Sequence, residues 1–525
     1  MRVKFIKEIK FNNFKRYKSF IYSARKNRNI FIGDNEAGKS TILQAIDIVL
    51  RGSRAKVESL GLETLFNIDV INQFLSSDKN LAELPELTIE IFLNDHGNIN
   101  LEGLNHSGDK VCHGMKLNCK PLIDDYGIEI MSALAVDNAL FPFEYYSIKF
   151  ETFAGQSYTQ NRRFLNHILI DSSLIGTEFA TRQYTKSLYE THTDLTQRHN
   201  HNHAFRQSKS TFRESALKTL NQKVGDYIFD LQTDTSSNLE HNLMIMDKGV
   251  AISQMGKGKQ CFIKTEFALK QKEGGSPIDL ILIEEPENHL SHLNMKKLIN
   301  RIEESTKTQA FIATHSNSVC SRLDLHNASL LTASANKPIS LKNLPNGTAN
   351  YFIKAPDNKI LEFILSESVV LVEGDAEFML VDGFYEKLFG DKLENSNIHV
   401  ISVGGTSFKR YLDLAKLLNI KTAVIRDNDR NFNKNCIENY TDYVSDIIKV
   451  FYDEDNINRT TLEKCLYLDN TVLCDELFKP GRKTLSVQEY MLKNKADVAF
   501  NLLSEAMPRL IAPDYIERAL RWIKE

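Results

Sequence analysis

The segment Gly33-Asp34-Asn35-Glu36-Ala37-Gly38-Lys39-Ser40 restricts what this chain can fold into more than any other stretch. The spacing GxxxxGK[ST] suits a turn whose backbone N–H groups wrap a phosphate, and such a turn belongs between a buried strand and the first turn of a helix. Both flanks comply: Asn29-Ile30-Phe31-Ile32 is a short apolar run of strand length, and Ser40 to Leu50 carries apolar residues at helical spacing. Gly33, Asn35, Gly38, Lys39, Ser40 and Thr41 are therefore read as nucleotide-contacting positions. Lys39 is expected to bridge the β- and γ-phosphates of ATP, and Ser40 to hold its magnesium ion.

A second magnesium contact and a water-activating carboxylate should follow another buried strand, and Asp279-Leu280-Ile281-Leu282-Ile283-Glu284-Glu285-Pro286-Glu287 has that form. Glu284 takes the metal position, where an Asp is usual, and Glu285 resembles the general base of ABC-type ATPases. Ala310-Phe311-Ile312-Ala313-Thr314-His315-Ser316 follows a helix-like stretch, and its His315 resembles the switch histidine of the same ATPases. Ser253 to Gln260, just before the acidic strand, occupies the place of the ABC signature loop in different wording; Gly256 and Gly258 could offer backbone amides to a γ-phosphate across a dimer.

The path from Ser40 to Glu284 is far longer than a minimal phosphate-loop core needs, so something is inserted. Leu87-Thr88-Ile89-Glu90-Ile91-Phe92-Leu93 alternates like a half-buried strand, as in the antiparallel lobe of ABC heads, whereas Asn161 to Asp230 is rich in helix formers and charge. The latter is read as a helical insertion able to pair subunits. His199, His201 and His203 within it have no carboxylate or Cys to complete a metal site and read as a solvated polar tip.

With 525 residues, 42% hydrophobic and 25% charged, the chain has material for several packed domains and no low-complexity linker. A net charge of −3 offers no global attraction to nucleic acid, so a DNA partner must be held by local basic patches or through metal ions. Cys112, Cys119, Cys261, Cys320, Cys436, Cys465 and Cys474 form no CxxC pair and read as reduced thiols. Without a signal-peptide core or an apolar run of spanning length, the expected location is the cytoplasm, away from any membrane.

From Ser368 the elements alternate regularly: strand Val369–Val372, a helix through Phe378, Val381, Phe384 and Leu388, strand Ile398–Val403, a helix through Phe408, Tyr411, Leu412, Ala415 and Leu418, and strand Thr422–Ile425. A βαβαβ unit makes parallel strands whose carboxyl ends share one edge. Glu373 follows the first strand, Gly404-Gly405 the second, and Asp427 and Asp429 the third; Glu377 lies one helical turn beyond Glu373. Carboxylates gathered in this way call for divalent cations, and two ions about 3.5 to 4 Å apart suit phosphodiester cleavage.

Glu373-Gly374 with Glu377, then Gly404, then Asp427-Asn428-Asp429 resembles a Toprim domain, and a Toprim behind an ABC-type ATPase resembles the OLD family of ATP-dependent nucleases across essentially the whole chain. The resemblance implies two further positions: Glu463 in Thr461-Leu462-Glu463 as a second-metal ligand, and Lys495 in Asn494-Lys495-Ala496-Asp497 as the catalytic lysine, with Lys493 two residues away as its competitor. It implies an α/β architecture with residues 1–160 and 236–355 forming the ATPase, 161–235 a helical dimerisation insertion and 356–525 the Toprim nuclease. The implied cofactors are ATP and Mg²⁺ or Mn²⁺, two ions at the Toprim site and one with ATP. The implied partners are DNA and further copies of the chain, and in some relatives a helicase or a retron nucleic acid with its reverse transcriptase, in anti-phage defence. Two other readings compete. A topoisomerase- or primase-like Toprim enzyme lacks a recognisable gating or polymerising context among these residues, and an SMC- or RecF-like clamp would leave the acids without a role.

Overall fold

The computed structural model describes residues 4–525 except 96, 137, 161, 163, 172–177, 225–228, 232–238, 270–277, 289–293, 295–296, 298–299, 301–307, 317–323, 333–336, 356–358, 406 and 482. The chain forms two compact units, Met1–Val319 with Asn327–Pro338, and Cys320–His326 with Ile339–Glu525.

In the first unit the phosphate-loop strand is Arg28–Ile32, and it lies parallel to and between Gln309–Thr314 and Ala328–Leu330 in a sheet that continues, still parallel, through Leu280–Glu284 to His167–Asp171. The register pairs Ile32 with Thr314, and Glu284 with both Ala313 and Asp171, so the strand ends that carry the expected nucleotide residues share one edge. These strands read as continuous apolar runs because the sheet is covered on both faces. The helix after the loop, Lys39–Arg51, is buried on nearly every side, with Ile42, Leu43, Ala45, Ile46, Ile48 and Val49 almost without exposure. Its one buried acid, Asp47, accepts from Arg51 Nε at 2.7 and 2.9 Å and lies 3.0 Å from His167 Nε2, which ties the helix to the far strand of the sheet.

Strand His167–Asp171 falls inside 161–235, the span expected to be a helical insertion, so that boundary is corrected: the helices begin with Glu178–His192 and Leu195–Ser215. A five-residue apolar run carries no periodicity that separates a strand from a buried helical turn. The helix-like stretch expected before Gln309 falls largely outside the described residues.

An antiparallel lobe runs in the order Tyr17–Ser23, Ile6–Phe14, Leu87–Leu93, Cys112–Pro121, with Glu102–Gly103 and Tyr146–Thr152 both on the last of these. Leu87–Leu93 is a strand as expected, but it is buried on both faces rather than alternating, because it lies mid-sheet beneath other segments. Its buried Glu90 is satisfied by the Ser107 N–H and hydroxyl at 2.8 and 2.5 Å. The first hairpin packs Phe11, Phe14, Tyr17 and Phe20 together, Phe11 and Phe20 stacked at 4.5 Å.

In the second unit four parallel strands stand in the order Ile398–Ser402, Ser368–Val372, Lys421–Ile425, Ile448–Phe451. The first strand in sequence therefore lies between the second and third, and the reversal of strand order opens a crevice at the carboxyl ends of Ser368–Val372 and Lys421–Ile425. Helix Asp514–Lys524 packs on this sheet through Tyr515, Ile516, Ala519, Leu520 and Ile523, spaced three or four apart on one face. Each such large side chain contributes about 1.5–3 kcal/mol on burial. Residues 339–355, expected to belong with the ATPase, are part of this unit.

Candidate active sites

Phosphate-loop geometry begins at Gly38, which has φ 91° and stands at the N-cap of the helix. A side chain there would be strained by the left-handed backbone and would meet Tyr17 Oη and, at 2.7 Å, Arg16 Cδ. The lobe's hairpin turn is thus packed directly on the loop: Tyr17 Oη donates to Ala37 O at 3.0 Å, and Arg16 donates to Glu36 O and, at 3.3 Å, to Thr332 O. Arg16 and Tyr17 were not anticipated from sequence, since nothing in a hairpin's pattern says what its turn will touch. Lys39, 5% exposed, donates from Nζ to Gly33 O at 2.7 Å and Asp34 O at 2.8 Å. Burial lowers its pKa, against the pull of Glu285 and Asp34.

Glu284 and Glu285 stand together at the end of their strand. Burial raises the Glu284 carboxyl, a hydrogen bond from Ser40 opposes that, and Asp171 and Glu285 push it further up. Ser40 and Glu284 are therefore brought together as the magnesium reading requires, and Asp171 joins them from a strand whose end the sequence had not revealed. Glu285 has φ 45°, an uncommon left-handed conformation for a non-glycine residue and one that recurs at functional positions. His315 Nδ1 lies 3.3 Å from Glu285 Oε1 and 3.5 Å from Glu287 Oε1. Glu287 Oε1 in turn accepts from Thr314 Oγ1 at 2.7 Å and His315 N at 2.9 Å, and Asn288 Nδ2 donates to Glu285 at 2.7 Å. Gly256 precedes, and Gly258 lies within, the first turn of helix Lys257–Leu269; the contacts of this turn are local, Gln260 Nε2 to Met255 O at 2.7 Å and Lys259 to Asp247 at 3.4 Å. The donor set of the loop fits a nucleotide triphosphate: a helix N-terminus with no acid in its first turn, a buried lysine, and a hydroxyl beside a carboxylate.

The crevice of the second unit gathers a separate set of acids. Glu373 follows Val372, and its carbonyl accepts from Gly405 N at 2.9 Å, which fastens the Gly404-Gly405 turn, both residues at positive φ, to the same edge. Glu377 Oε2 accepts from Gly374 N at 3.1 Å and so caps its own helix, Asp375–Phe389. Asp427 Oδ2 accepts from Leu462 N at 3.1 Å, at the start of helix Leu462–Asp469, whose first turn carries Glu463. Asp429 and Arg430 are consecutive left-handed residues at φ 48° and 66°. Buried Asn428 holds that turn by donating to Glu454 O and Arg459 O at 3.4 and 3.3 Å and accepting from Arg430 N at 3.1 Å.

Charge is unevenly balanced across this crevice. Burial, then Glu377 and Glu463, hold the Asp427 carboxyl well above the usual carboxylate range, and burial also raises Glu373 and Glu377. Glu463 is 2% exposed, neither of its oxygens has a directed hydrogen-bond donor, and Lys495 Nζ stands 3.1 Å from Oε1. Burial alone pulls the Lys495 ammonium down, and Glu463 more than reverses this, leaving it raised. Lys493 is exposed on the preceding helix. Helix Asp375–Phe389 packs on helix Lys495–Asn501, which places Lys495. Arg426, absent from the expected site, pairs with Glu373 and, at 2.9 Å, with Asp429. Among the described residues no three His, Cys, Asp or Glu side chains are drawn around one point as a finished cage. The carboxylate-only donor set, with buried Glu463 oxygens whose one close cation is Lys495, nevertheless fits a hard divalent cation such as Mg²⁺ or Mn²⁺.

Comparison with known proteins follows the same division. The model of the AAA ATPase domain matches residues 5–242, a further AAA domain model matches 176–321, and the model of the overcoming lysogenization defect protein-like TOPRIM domain matches 364–429. The Old nuclease of Escherichia phage P2 is 28% identical over 200 residues, 34% of this chain and 33% of that protein, so the chain spans about a third of the curated relative it matches. The C-terminal region of the Burkholderia pseudomallei OLD protein is 21% identical, with a TM-score of 0.23, over 30% of this chain and 97% of that one. The Pyrococcus furiosus Smc head domain bound to the C-terminal domain of ScpA is 14% identical, with a TM-score of 0.34, over 65% of this chain and 97% of that one. An AAA ATPase domain thus stands ahead of an OLD-like Toprim domain in one polypeptide, an order in which this chain is similar to OLD proteins.

Proposed function

We propose that this protein is a divalent-metal-dependent DNA nuclease, an endonuclease or nickase, whose cutting at the Toprim edge is governed by ATP at the N-terminal head. The observation that supports this reading is that Glu373, Glu377, Asp427, Asp429, Glu463 and Lys495 lie within electrostatic reach of one another beyond the carboxyl ends of one parallel sheet, with buried Glu463 paired to Lys495. The five carboxylates would hold Mg²⁺ or Mn²⁺, with Ser40 and Glu284 serving the ion that accompanies ATP. Cations held there would supply Lewis acidity to the phosphate and to an attacking water molecule.

The chain's own groups have separable tasks. Lys495 presents a fixed positive charge where negative charge collects on the phosphate in the transition state. Glu373, at the mouth of the crevice, orients the attacking water and receives its proton. At the head, Lys39 binds phosphate, Glu285 takes a proton from the water that attacks ATP, and His315, between Glu285 and Glu287, senses the γ-phosphate. Gly256 and Gly258 would serve a nucleotide held by a second copy, which makes the working unit a homodimer or larger assembly. Helix Leu195–Ser215 supports that assembly: it has 21 residues and none buried, whereas helices in proteins draw most of their stability from a packed face. His199, His201 and His203 are exposed along it, in keeping with a polar tip. Similarity to OLD proteins supports anti-phage defence in the cytoplasm as the setting. Among the described residues no helix is long and apolar enough to cross a membrane.

The test is cleavage of supercoiled plasmid in Mg²⁺ and in Mn²⁺, with and without ATP, by the native protein and by Glu373→Gln and Asp427→Asn. Nicking or linearisation by the native protein and by neither variant is the expected result. ATP-dependent retention of DNA with no cutting in either metal would replace the nuclease by a clamp.

A further inference from the structure

We infer that Arg426 divides the Toprim edge into two half-sites and keeps one of them closed by bridging its two carboxylates, so that two divalent ions load in order, the second only when a phosphate draws Arg426 away. This rests on the metal-dependent reading above and specifies how that site is regulated.

Arg426 is 5% exposed, and its guanidinium lies between Glu373 Oε2 and Asp429 Oδ2, the latter at 2.9 Å, over the Phe408 ring at 6.0 Å. A guanidinium does not lose its proton in a protein, so the cationic side of this bridge persists at any working pH. It does for Glu373 and Asp429 what a shared cation would do, and an ion binding both carboxylates must part the bridge. The half formed by Glu377, Asp427 and Glu463 is different. Its cation is Lys495, whose side chain is 51% exposed and reaches in from the rim, and the buried Glu463 oxygens lack directed donors. Counting formal charges, Glu373, Asp429 and Arg426 sum to −1, while Glu377, Asp427, Glu463 and Lys495 sum to −2. Coulomb attraction therefore directs the first divalent ion to the Glu463 half.

The planar guanidinium matches phosphate as well as carboxylate, with two parallel N–H donors to two oxygens. A DNA phosphate at the mouth of the crevice thus offers Arg426 an alternative partner and frees Glu373 and Asp429 together. The consequence is a nuclease whose second ion arrives with its substrate, which keeps the full two-ion site unassembled on protein without DNA.

Counting Mn²⁺ bound per full-length chain tests this without any turnover, by titration calorimetry or by electron paramagnetic resonance of free Mn²⁺, in the absence of nucleotide. For the native protein we expect one tight equivalent, removed by Glu463→Gln, and a second weaker by at least about tenfold, the cost of parting a charge-assisted pair. Adding uncleavable phosphorothioate DNA should tighten the second, and Arg426→Gln should tighten it with no DNA. Arg426→Lys retains the charge but not the two-armed reach; it should shift the second equivalent in the same direction and carries the test if the glutamine variant does not fold. Two equal tight equivalents in the native protein, or an unchanged second one in Arg426→Lys, would overturn the gate and leave the metal-dependent reading standing. Absence of any equivalent sensitive to Glu463→Gln would remove both.

Discussion

Lys495 Nζ stands 3.1 Å from Glu463 Oε1, pairing an exposed lysine at the start of one helix with an almost fully buried glutamate in the first turn of another. Lys493, two positions earlier, is exposed at the end of the preceding helix. The two lysines should therefore respond differently to removal. Lys495→Ala is expected to lower plasmid cleavage by about 10²–10³, the range for loss of one transition-state donor, while Lys493→Ala leaves the rate near native. Equal losses for both would mean that a general basic surface, rather than one placed charge, is what cleavage needs.

Asp427 supplies a pH signature. Its folded pKa is raised by burial and by Glu377 and Glu463, so the folded protein holds that proton more tightly than the unfolded chain. Ionisation of Asp427 therefore subtracts stability above the folded pKa, and the loss fades as pH falls toward the ordinary Asp value of about 3.9. In EDTA, Asp427→Asn should melt higher than native at about pH 8 and lose that advantage toward about pH 4. Saturating Mg²⁺ should reverse the order at the higher pH, since a cation stabilises the charged form. Melting curves in EDTA and in Mg²⁺ over this range decide it; coincident native and variant curves in EDTA at every pH would contradict the imbalance.

The opposite sign holds at Asp47. Burial alone would raise its pKa, but Arg51 and His167 override this and hold it well below the usual range. Its contribution to stability is present above the ordinary Asp pKa of about 3.9 and is lost as pH falls through the depressed folded value. Asp47→Ala leaves Arg51 and His167 facing a gap under the phosphate-loop helix and should cost about 3–5 kcal/mol at neutral pH. Chemical denaturation at neutral and acidic pH measures it, with the difference shrinking on the acid side.

Gly38 is the position where the nucleotide loop tolerates least. Gly38→Ala combines a left-handed backbone, costing at least about 1–2 kcal/mol, with a collision against Tyr17 and Arg16. Loss of fluorescent ATP-analogue binding together with a lower melting temperature is expected. A variant that binds the analogue as the native protein does would show that the hairpin turn yields.

Glu285→Gln keeps the shape of the carboxylate and its contact with Asn288 but removes the base. ATP binding should persist while phosphate release falls by at least about a hundredfold. If release is unchanged, the base is another of the acids on this edge, with Glu287 and Asp171 as alternatives.

Parts of both sites were legible in the sequence because their signals are local. Val369–Val372, Ile398–Ser402 and Thr422–Ile425 are apolar runs separated by amphipathic helices, so their parallel pairing and the shared edge of Glu373, Asp427 and Asp429 followed from handedness alone. The phosphate loop was legible for the same reason. His167–Asp171 was not, since five residues are too few to show a period, and Asp171 at its end was missed with it. Arg426 adjoins Asp427 in sequence, yet a charged residue after an apolar strand reads as solvated until its burial is seen.

What the sequence determined by itself is which chemistries the chain holds: a phosphate-binding turn between a strand and a helix, and acids at the ends of parallel strands, each dictated by backbone geometry over a few residues. Only the tertiary structure decided which groups compete for one another. Arg16 on the loop carbonyls, His315 between Glu285 and Glu287, Lys495 rather than Lys493 at Glu463, and Arg426 on Glu373 are meetings across long sequence separations. Such meetings are set by strand order and helix packing, and the charge balance they create depends on burial, which no residue specifies alone.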